Sequence, residues 1–261
     1  MNFFSEMISN IKKHQFLFEE LVKRDFKKKY KRTVLGMAWS LLSPLCLLLV
    51  MRIVFIHLYG RNTEHFTIYL FCGQLVYQFF SDSTTQGMST IMGNAGIFTK
   101  VKVPKYLFLF AKQVQCLINF GMTLVVFFAF CIFDKIVFTW KLIFLIYPIF
   151  IQLVFNLGMC MILSALFVFF RDMQYLWQIA LRVILYLSAI FYSVDNFPLE
   201  IQKYFMFNPV YVSIRYFRMV VIEQMIPGLG MHLLMLGYAV CALGFGCWMY
   251  KKYNTKFLYY V

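Results

Sequence analysis

Residues that could carry out chemistry are few in this chain, and they do not cluster. The four histidines show no metal-ligand spacing, and the seven cysteines fall inside apolar runs without a C-x-x-C pair, which favours packing roles. No G-x-x-x-x-G-K-[ST] phosphate loop occurs, so this chain is not expected to bind ATP in the usual way. The pattern predicts neither a catalytic centre nor a metal site.

Three charged residues lie inside apolar segments, namely Arg52, Asp82 and Arg182. An arginine at the centre of a spanning helix costs about 2.5–3.5 kcal/mol on insertion scales, so Arg182 should have a partner or face water. Asp82 is our candidate partner, whereas Arg52 lies close enough to a segment end to reach the head groups. A proton-coupled carrier would bury several acids and show two related halves, and neither feature is present.

The composition is that of an integral membrane protein. Of 261 residues, 62% are hydrophobic and only 14% are charged, whereas soluble domains carry about 25% charged residues. The apolar runs are long and unbroken, as in 41–51 and 124–133, which excludes the alternating strands of a lipid-facing barrel. Because one spanning helix needs roughly 20 apolar residues, we predict an all-α membrane protein with six transmembrane helices.

The predicted organisation has three parts. An amphipathic interface helix occupies 1–33, a transmembrane domain occupies 34–254, and a short tail occupies 255–261. The six spans are placed at about 34–58, 66–86, 106–133, 140–170, 173–194 and 231–250. The fourth span is longer than the bilayer core, so it should tilt, kink or protrude, and Pro148 is the expected position of a kink.

The distribution of positive charge predicts the orientation. With the N-terminus inside, seventeen lysines and arginines lie on the cytoplasmic side and six lie outside. This bias places both termini in the cytoplasm of a multi-pass protein of the cytoplasmic (inner) membrane. The cations of the first 33 residues flank an apolar helical stripe, which is typical of a helix lying on anionic head groups. Topology therefore explains the net charge of +14, and no nucleic-acid partner is needed.

Two connections between the spans are predicted to hold further helices. The external segment 195–230 should form two short helices. The first opens with residues 197–201 and ends at Asn208-Pro209, and the second covers about 210–225. Neither helix can cross a bilayer, so the two should lie flat at the outer surface or form a re-entrant pair. The cytoplasmic segment 94–105 carries an apolar patch among lysines, which suits a helix resting on another protein.

Several motifs resemble the permeases of type-2 ABC exporters. They are RDFKKKY at 24–30, TVLG at 33–36, WSLLSP at 39–44, FFRD at 169–172, Phe191-Tyr192, Phe197-Pro198 and Asn208-Pro209. The closest branch exports lipid-linked polysaccharides: O-antigen, capsule and wall teichoic acid. The resemblance covers nearly the whole chain.

The resemblance implies partner subunits, and it implies that a partner and not this chain binds ATP. The chain would form a homodimer and recruit two ATP-binding subunits, so that ATP and Mg²⁺ are bound by the partner ATPase and not by this chain. The segment 94–105 would be the coupling helix that docks on that ATPase, through Gly96, Ile97, Phe98, Lys100 and Lys102. The external pair would form an outer gate, with Phe197, Pro198, Asn208 and Pro209 at its corners.

The substrate would then be a polyprenyl-diphosphate-linked polysaccharide or teichoic acid. Sugar rings stack on aromatic side chains, which favours a channel lined by Phe and Tyr, and a diphosphate needs cations. Our candidates for the channel and the head group are Lys27, Lys28, Tyr30, Arg32, Tyr77, Phe79, Phe80, Tyr186, Phe191 and Tyr192. The alternatives are a type-2 exporter of drugs or small lipids and, in a different class, a stand-alone channel or membrane enzyme.

Overall fold

A computed structural model describes residues 13–31, 35–55, 65–98, 103–253 and 257, and all regular secondary structure within them is helical. The helices are α1 (Gln15–Tyr30), α2 (Trp39–Phe55), α3 (Phe66–Met88), α4 (Thr90–Gly93), α5 (Ala95–Phe98), α6 (Tyr106–Phe133), α7 (Ile146–Phe169), α8 (Met173–Leu187), α9 (Leu199–Phe205), α10 (Pro209–Val221) and α11 (Leu229–Tyr253). Short 3-10 turns occupy Gly36–Ala38, Trp140–Leu145 and Val194–Asn196.

Within the part of the chain that the structure describes, three segments are long and apolar enough to cross a membrane. They are Tyr106–Phe133, Trp140–Phe169 and Leu229–Tyr253, with 28, 30 and 25 residues. The chain is therefore an all-helical membrane protein. Helix α3 is long enough to cross as well, but it carries glutamines and an aspartate, and most of its residues are buried between other helices. Helix α2 is apolar but short.

The centre of the bundle is α3 packed against α6 and α7, and α11 covers α7. Small residues allow the closest of these contacts. A Cβ on Gly158 of α7 would lie 2.5 Å from the backbone of Ala242 and Leu243 in α11, and one on Gly246 would lie 2.9 Å from the Gly158 carbonyl. The two backbones therefore touch directly, as small residues permit between membrane helices.

The fourth predicted span begins differently from a simple helix. It begins with the 3-10 segment Trp140–Leu145, and α7 follows from Ile146. Pro148 is the third residue of α7, and a proline is tolerated in the first turn of an α-helix. The position of this proline therefore agrees with a helix start.

The fifth predicted span ends earlier than the hydropathy of 173–194 suggests. Helix α8 stops at Leu187, and Ala189 adopts the left-handed backbone conformation with φ +48°. Fifteen residues reach about 22 Å, which is less than a bilayer core of roughly 30 Å. The apolar run continues to Val194, but the backbone after Leu187 is no longer α-helical.

The chain between α8 and α11 folds into the two short helices expected from the sequence. Helix α9 begins after Pro198, and Asn208 caps α10 by accepting a hydrogen bond from the Val210 amide at 3.0 Å. The predicted apolar face of α10 is buried against α3, α7 and α11: Val210, Ile214, Phe217 and Val221. This face holds α10 against the bundle.

Candidate functional site

A basic pocket of about 480 Å³ lies where α1 crosses the ends of α3 and α6. Three cations and one carboxylate contribute to its wall, with amide and hydroxyl groups between them. The lining residues are Arg24, Asp25, Lys28, Gln86, Ser89, Thr90, Gly93, Asn94, Lys112 and Gln115. The excess of cations and hydrogen-bond donors suits an anionic group such as a phosphate.

Asp25 organises the cations of this pocket. One of its carboxylate oxygens accepts hydrogen bonds from Arg24 at 2.7 and 3.0 Å, and the other receives Lys112 Nζ at 2.7 Å. Arg24 also donates to Asn94 Oδ1 at 2.8 Å, and Lys112 donates to Gln115 Oε1 at 3.1 Å. The network thereby fastens α1 to the turn after α4 and to α6.

The pKa of Asp25 lies below its ordinary value of 3.8. Burial by itself would raise this pKa, but the hydrogen bonds and charges of Lys112 and Arg24 outweigh it. A carboxylate with a depressed pKa contributes stability above its unfolded-state pKa and loses it as the pH falls through the folded-state value. The α1 attachment should therefore be complete at neutral pH and weaken only in strong acid.

Replacing Asp25 by asparagine should loosen α1, because Lys112 and Arg24 lose their shared anion. Charge-assisted hydrogen bonds of this kind contribute about 1.5–3 kcal/mol, so the thermal unfolding midpoint of the purified protein should fall at pH 7. Glu20→Gln is the matched control, since Glu20 pairs only with exposed Lys23 in the described contacts. Equal midpoints for the two variants would contradict a role for Asp25 in anchoring α1.

A second cavity, of about 390 Å³, lies deeper in the bundle between α2, α3 and α6. Polar groups follow one face of α3 inside it: Gln74 Nε2 donates to Gln78 Oε1 at 3.2 Å, and Gln78 Nε2 donates to Asp82 Oδ1 at 2.8 Å. Asn119 and Thr123 of α6 line the opposite wall. Aromatic rings complete it: Trp39, Phe71, Phe79 and Phe120. The cavity is thus polar along one side and aromatic elsewhere.

The basic residues predicted for a head group are only partly brought together. Lys28 lines the basic pocket, whereas Lys27 is exposed on α1 and does not. Tyr30 is the last residue of α1, and Arg32 lies outside the described residues. Sequence reasoning missed Lys112, which the fold brings to α1, and it missed Arg24, whose four-residue spacing from Lys28 places both on one helix face.

The aromatic candidates on α3 face in different directions. Phe79 lines the deeper cavity and contacts Phe120 with ring centroids 4.6 Å apart. Phe80 is buried against Phe155 and Trp177 in the core. The Tyr77 hydroxyl donates to the Leu181 carbonyl at 2.8 Å, so this tyrosine joins α3 to α8.

The other three aromatic candidates lie together where α8 ends. The Tyr192 hydroxyl donates to the Tyr186 carbonyl at 2.8 Å, and the rings of Tyr186 and Phe191 lie 6.5 Å apart. Tyr186 is exposed on α8, on the same side as Val183 and Leu187. These residues are at the opposite end of α3 from the basic pocket, because the Tyr192 carbonyl receives the Tyr69 hydroxyl.

The candidate docking residues fall partly within a short helix. Gly96, Ile97 and Phe98 belong to α5, and Gly96 is exposed. Lys100 and Lys102 lie outside the described residues. Helix α5 is next to the basic pocket, since Asn94 immediately precedes it.

The four candidate gate residues form the corners of the α9–α10 pair. Pro198 precedes α9 and Pro209 begins α10. Asn208 donates to Ser188 Oγ at 2.9 Å and so ties the corner to the end of α8. Phe197 packs against Tyr192 and Phe205 with centroids 5.9 and 6.0 Å apart.

Sequence reasoning missed the part played by Arg218, which was counted only as an external charge. Arg218 is 98% buried, and its guanidinium carbon lies 3.4 Å from the centroid of the Tyr69 ring. It donates to the carbonyls of Ala189 at 2.9 Å and Ile190 at 3.1 Å. These carbonyls belong to the backbone that leaves α8, where a cation is also favoured by the helix dipole.

The suggested pairing of Arg182 with Asp82 does not occur among the described ion pairs. Asp82 receives Gln78 and faces the deeper cavity between α2, α3 and α6. Arg182 is exposed on α8. The two residues project from different sides of the bundle, which sequence spacing alone cannot reveal.

Comparison with known proteins gives relatives over most of the chain. It is 26% identical to an O-antigen export system permease protein RfbA of Myxococcus xanthus, over 85% of this chain and 86% of that protein. It is 24% identical to the protein of the same name from Klebsiella pneumoniae, over 75% of this chain and 77% of the relative.

The profile of the ABC-2 type transporter family matches residues 17–222. This match runs from α1 through α10 and so includes both cavities and the buried Arg218. The chain therefore belongs to the ABC-2 type transporter family.

Proposed function

We propose that this chain is the permease subunit of an ATP-driven exporter that moves a polyprenyl-diphosphate-linked polysaccharide or teichoic acid out across the cytoplasmic membrane. The observation that carries the proposal is the basic pocket, with Arg24, Lys28 and Lys112 around a site large enough for a diphosphate. The names of the relatives, which are O-antigen export permeases, favour a glycan over a drug as cargo.

The pocket is suited to hold the charged end of such a substrate. Three cations attract the diphosphate, and Asp25 keeps two of them in place while leaving an excess of positive charge. Helix α1 forms one wall, so a lipid whose tail remains in the bilayer can enter with its head group at the membrane surface. The chain itself makes and breaks no covalent bond in this proposal.

The proposed topology has six crossings with both termini in the cytoplasm, as the charge bias favours. Because α8 alone is shorter than the bilayer core, the buried residues Ser188, Ala189 and Ile190 that follow it would complete the fifth crossing. The basic pocket and α5 then face the cytoplasm, and the α9–α10 pair faces outward as the gate. Two copies would form the transport pathway, and each would recruit an ATPase subunit through the segment 94–105. ATP and Mg²⁺ would be bound by that subunit, whose hydrolysis drives the opening and closing of the permease.

A pull-down of the tagged chain in mild detergent tests this proposal. An ATP-binding subunit should co-purify with the wild-type chain, and Phe98→Asp should remove it, because an aspartate in the apolar patch of 94–105 opposes docking. Bound ATPase activity should fall to background in that variant. The expected loss is at least tenfold, since buried interface anchors contribute about 2 kcal/mol or more.

Phe207→Asp is the matched control, because Phe207 is an exposed phenylalanine at the opposite end of the bundle. It should keep the ATPase bound. If the wild-type chain purifies without any nucleotide-dependent partner, the exporter proposal is wrong and a channel or membrane enzyme becomes the better interpretation. Loss of the partner in both variants would instead reject 94–105 as the docking site.

A further inference from the structure

Two polar stripes run along facing sides of α3 and α6. On α3 the polar residues recur every four positions, and on α6 every three or four, so each set lies on one helix face. The stripes consist of Gln74, Gln78, Asp82 and Gln86 on α3, and of Lys112, Gln115, Asn119 and Thr123 on α6. We refer to these eight residues as the polar seam.

The polar seam connects the two cavities. Gln86, Lys112 and Gln115 line the basic pocket at the surface. The other five residues line the deeper cavity between α2, α3 and α6. The α3 stripe alone runs from Gln74 to Gln86, about 18 Å along the helix. A continuous row of hydrogen-bonding groups therefore leads from the anion-binding pocket into the membrane-embedded part of the bundle.

One member of the polar seam has unused hydrogen-bonding capacity. Gln74 is 95% buried and lines the deeper cavity, and its Oε1 has no hydrogen-bond partner among the described residues. A buried carboxamide oxygen without a partner is costly, because it has given up its hydrogen bonds to water. A ligand with hydroxyl groups in this cavity would satisfy it once the Gln74 carboxamide turns toward the cavity, because the oxygen itself is covered by neighbouring atoms.

The walls of the deeper cavity match the two faces of a sugar. Carboxamide and hydroxyl side chains can donate to and accept from sugar hydroxyls. Trp39, Phe79 and Phe120 offer aromatic surfaces for the apolar side of a pyranose ring. A hydrocarbon tail would leave the polar side without partners, so a polyhydroxylated ligand fits this cavity better than a lipid chain does.

We propose that the polar seam binds the sugar residues next to the diphosphate, while the basic pocket holds the diphosphate itself. This inference rests on the proposed function. It places the contacts to the sugar residues of the substrate within one copy of the chain. The glycan is recognised by its hydroxyl groups through α3 and α6, and the exposed aromatic residues at the end of α8 are not needed for this step.

The test compares two lipid probes that carry the same diphosphate and differ only in whether a glycan is attached. The permease and its co-purified ATPase are placed in lipid nanodiscs, and the binding of undecaprenyl diphosphate is compared with that of the same lipid carrying a tetrasaccharide. The wild-type complex should bind the glycosylated probe roughly tenfold more tightly, as expected for two or three net hydrogen bonds. Lys28→Gln should weaken the binding of both probes.

The informative variant is Gln74→Leu combined with Thr123→Val. Gln74 Oε1 has no partner among the described residues, and Gln74 Nε2 makes one long hydrogen bond of 3.2 Å to Gln78 Oε1, so the leucine should lower the unfolding midpoint only slightly. The variant should nevertheless lose the tenfold preference and bind both probes equally. Gln113→Leu is the control on α6, since Gln113 is buried away from the polar seam and donates to Cys160 Sγ at 2.8 Å. This control should keep the preference.

The possible outcomes separate the two proposals. If the wild-type complex binds neither probe, the proposed function fails. If it binds both probes without preference, or if the Gln74→Leu and Thr123→Val variant keeps the preference, the polar seam is not the glycan site and the export function stands. If Gln113→Leu loses the preference equally, the effect belongs to general packing of α6 and the inference is overturned.

Discussion

Replacing Gly158 by alanine is expected to separate α7 from α11 and to destabilise the whole bundle. The added Cβ would lie 2.5 Å from the carbonyl carbon of Ala242 and the amide nitrogen of Leu243. Both neighbours are backbone atoms of a long helix, so no side chain can rotate away to make room. Overpacking of this kind costs about 1–3 kcal/mol, and more where the surroundings are rigid.

The measurement is the thermal unfolding midpoint of the purified protein in detergent, together with its level in the membrane. Gly237→Ala is the matched control on α11, because a Cβ there meets nothing within 4 Å. Alanine is favoured over glycine in a helix by about 0.8–1 kcal/mol, so the control should be neutral or slightly stabilising. Equal midpoints for Gly158→Ala and Gly237→Ala would disprove the direct backbone contact between α7 and α11.

Replacing Arg218 by leucine should release the α9–α10 pair from the end of α8. The substitution removes the donors to the Ala189 and Ile190 carbonyls and the stack on Tyr69. Each buried carbonyl left without a partner costs about 1–3 kcal/mol. Arg218→Lys should recover only part of the loss, since a single ammonium cannot reproduce the planar fork of the guanidinium.

Hydrogen exchange of the backbone amides of α9 and α10 would measure this release, alongside the unfolding midpoint. Arg215→Leu is the control, because Arg215 lies one turn earlier on α10 and pairs with Glu223 at a partly exposed position. That variant should change exchange little, as expected for an exposed ion pair. If exchange in α9 and α10 is the same in Arg218→Leu as in the wild type, Arg218 does not hold the pair in place.

The long apolar helices were predictable from composition and length. The bounds of α6 agree with the predicted span 106–133, and α7 and α11 differ from their predicted spans by a few residues. In these segments nearly every residue is apolar, so hydropathy alone marks approximately where each helix begins and ends. The amphipathic face of α10 was predictable for a related reason, since its apolar residues recur at helical spacing.

The end of α8 was not predictable in this way. The run from Met173 to Val194 remains apolar, and no proline or glycine interrupts it. Beyond Leu187 the non-α-helical backbone is stabilised by Arg218, which comes about thirty residues later and donates hydrogen bonds to the carbonyls of Ala189 and Ile190. A sequence window contains no sign of such a distant donor, so an arginine counted as a surface charge proved to be a buried structural residue.

The sequence by itself determined that this is a helical membrane protein, which end carries the cations, and which family it resembles. Those properties depend on residue type and local periodicity, which burial in lipid imposes on each segment separately. Only the tertiary structure decided that Arg24, Lys28 and Lys112 share one pocket and that the glutamines of α3 face the polar side of α6. Such groupings depend on how helices rotate against one another, and that rotation is set by close contacts such as Gly87 of α3 against Cys160 of α7.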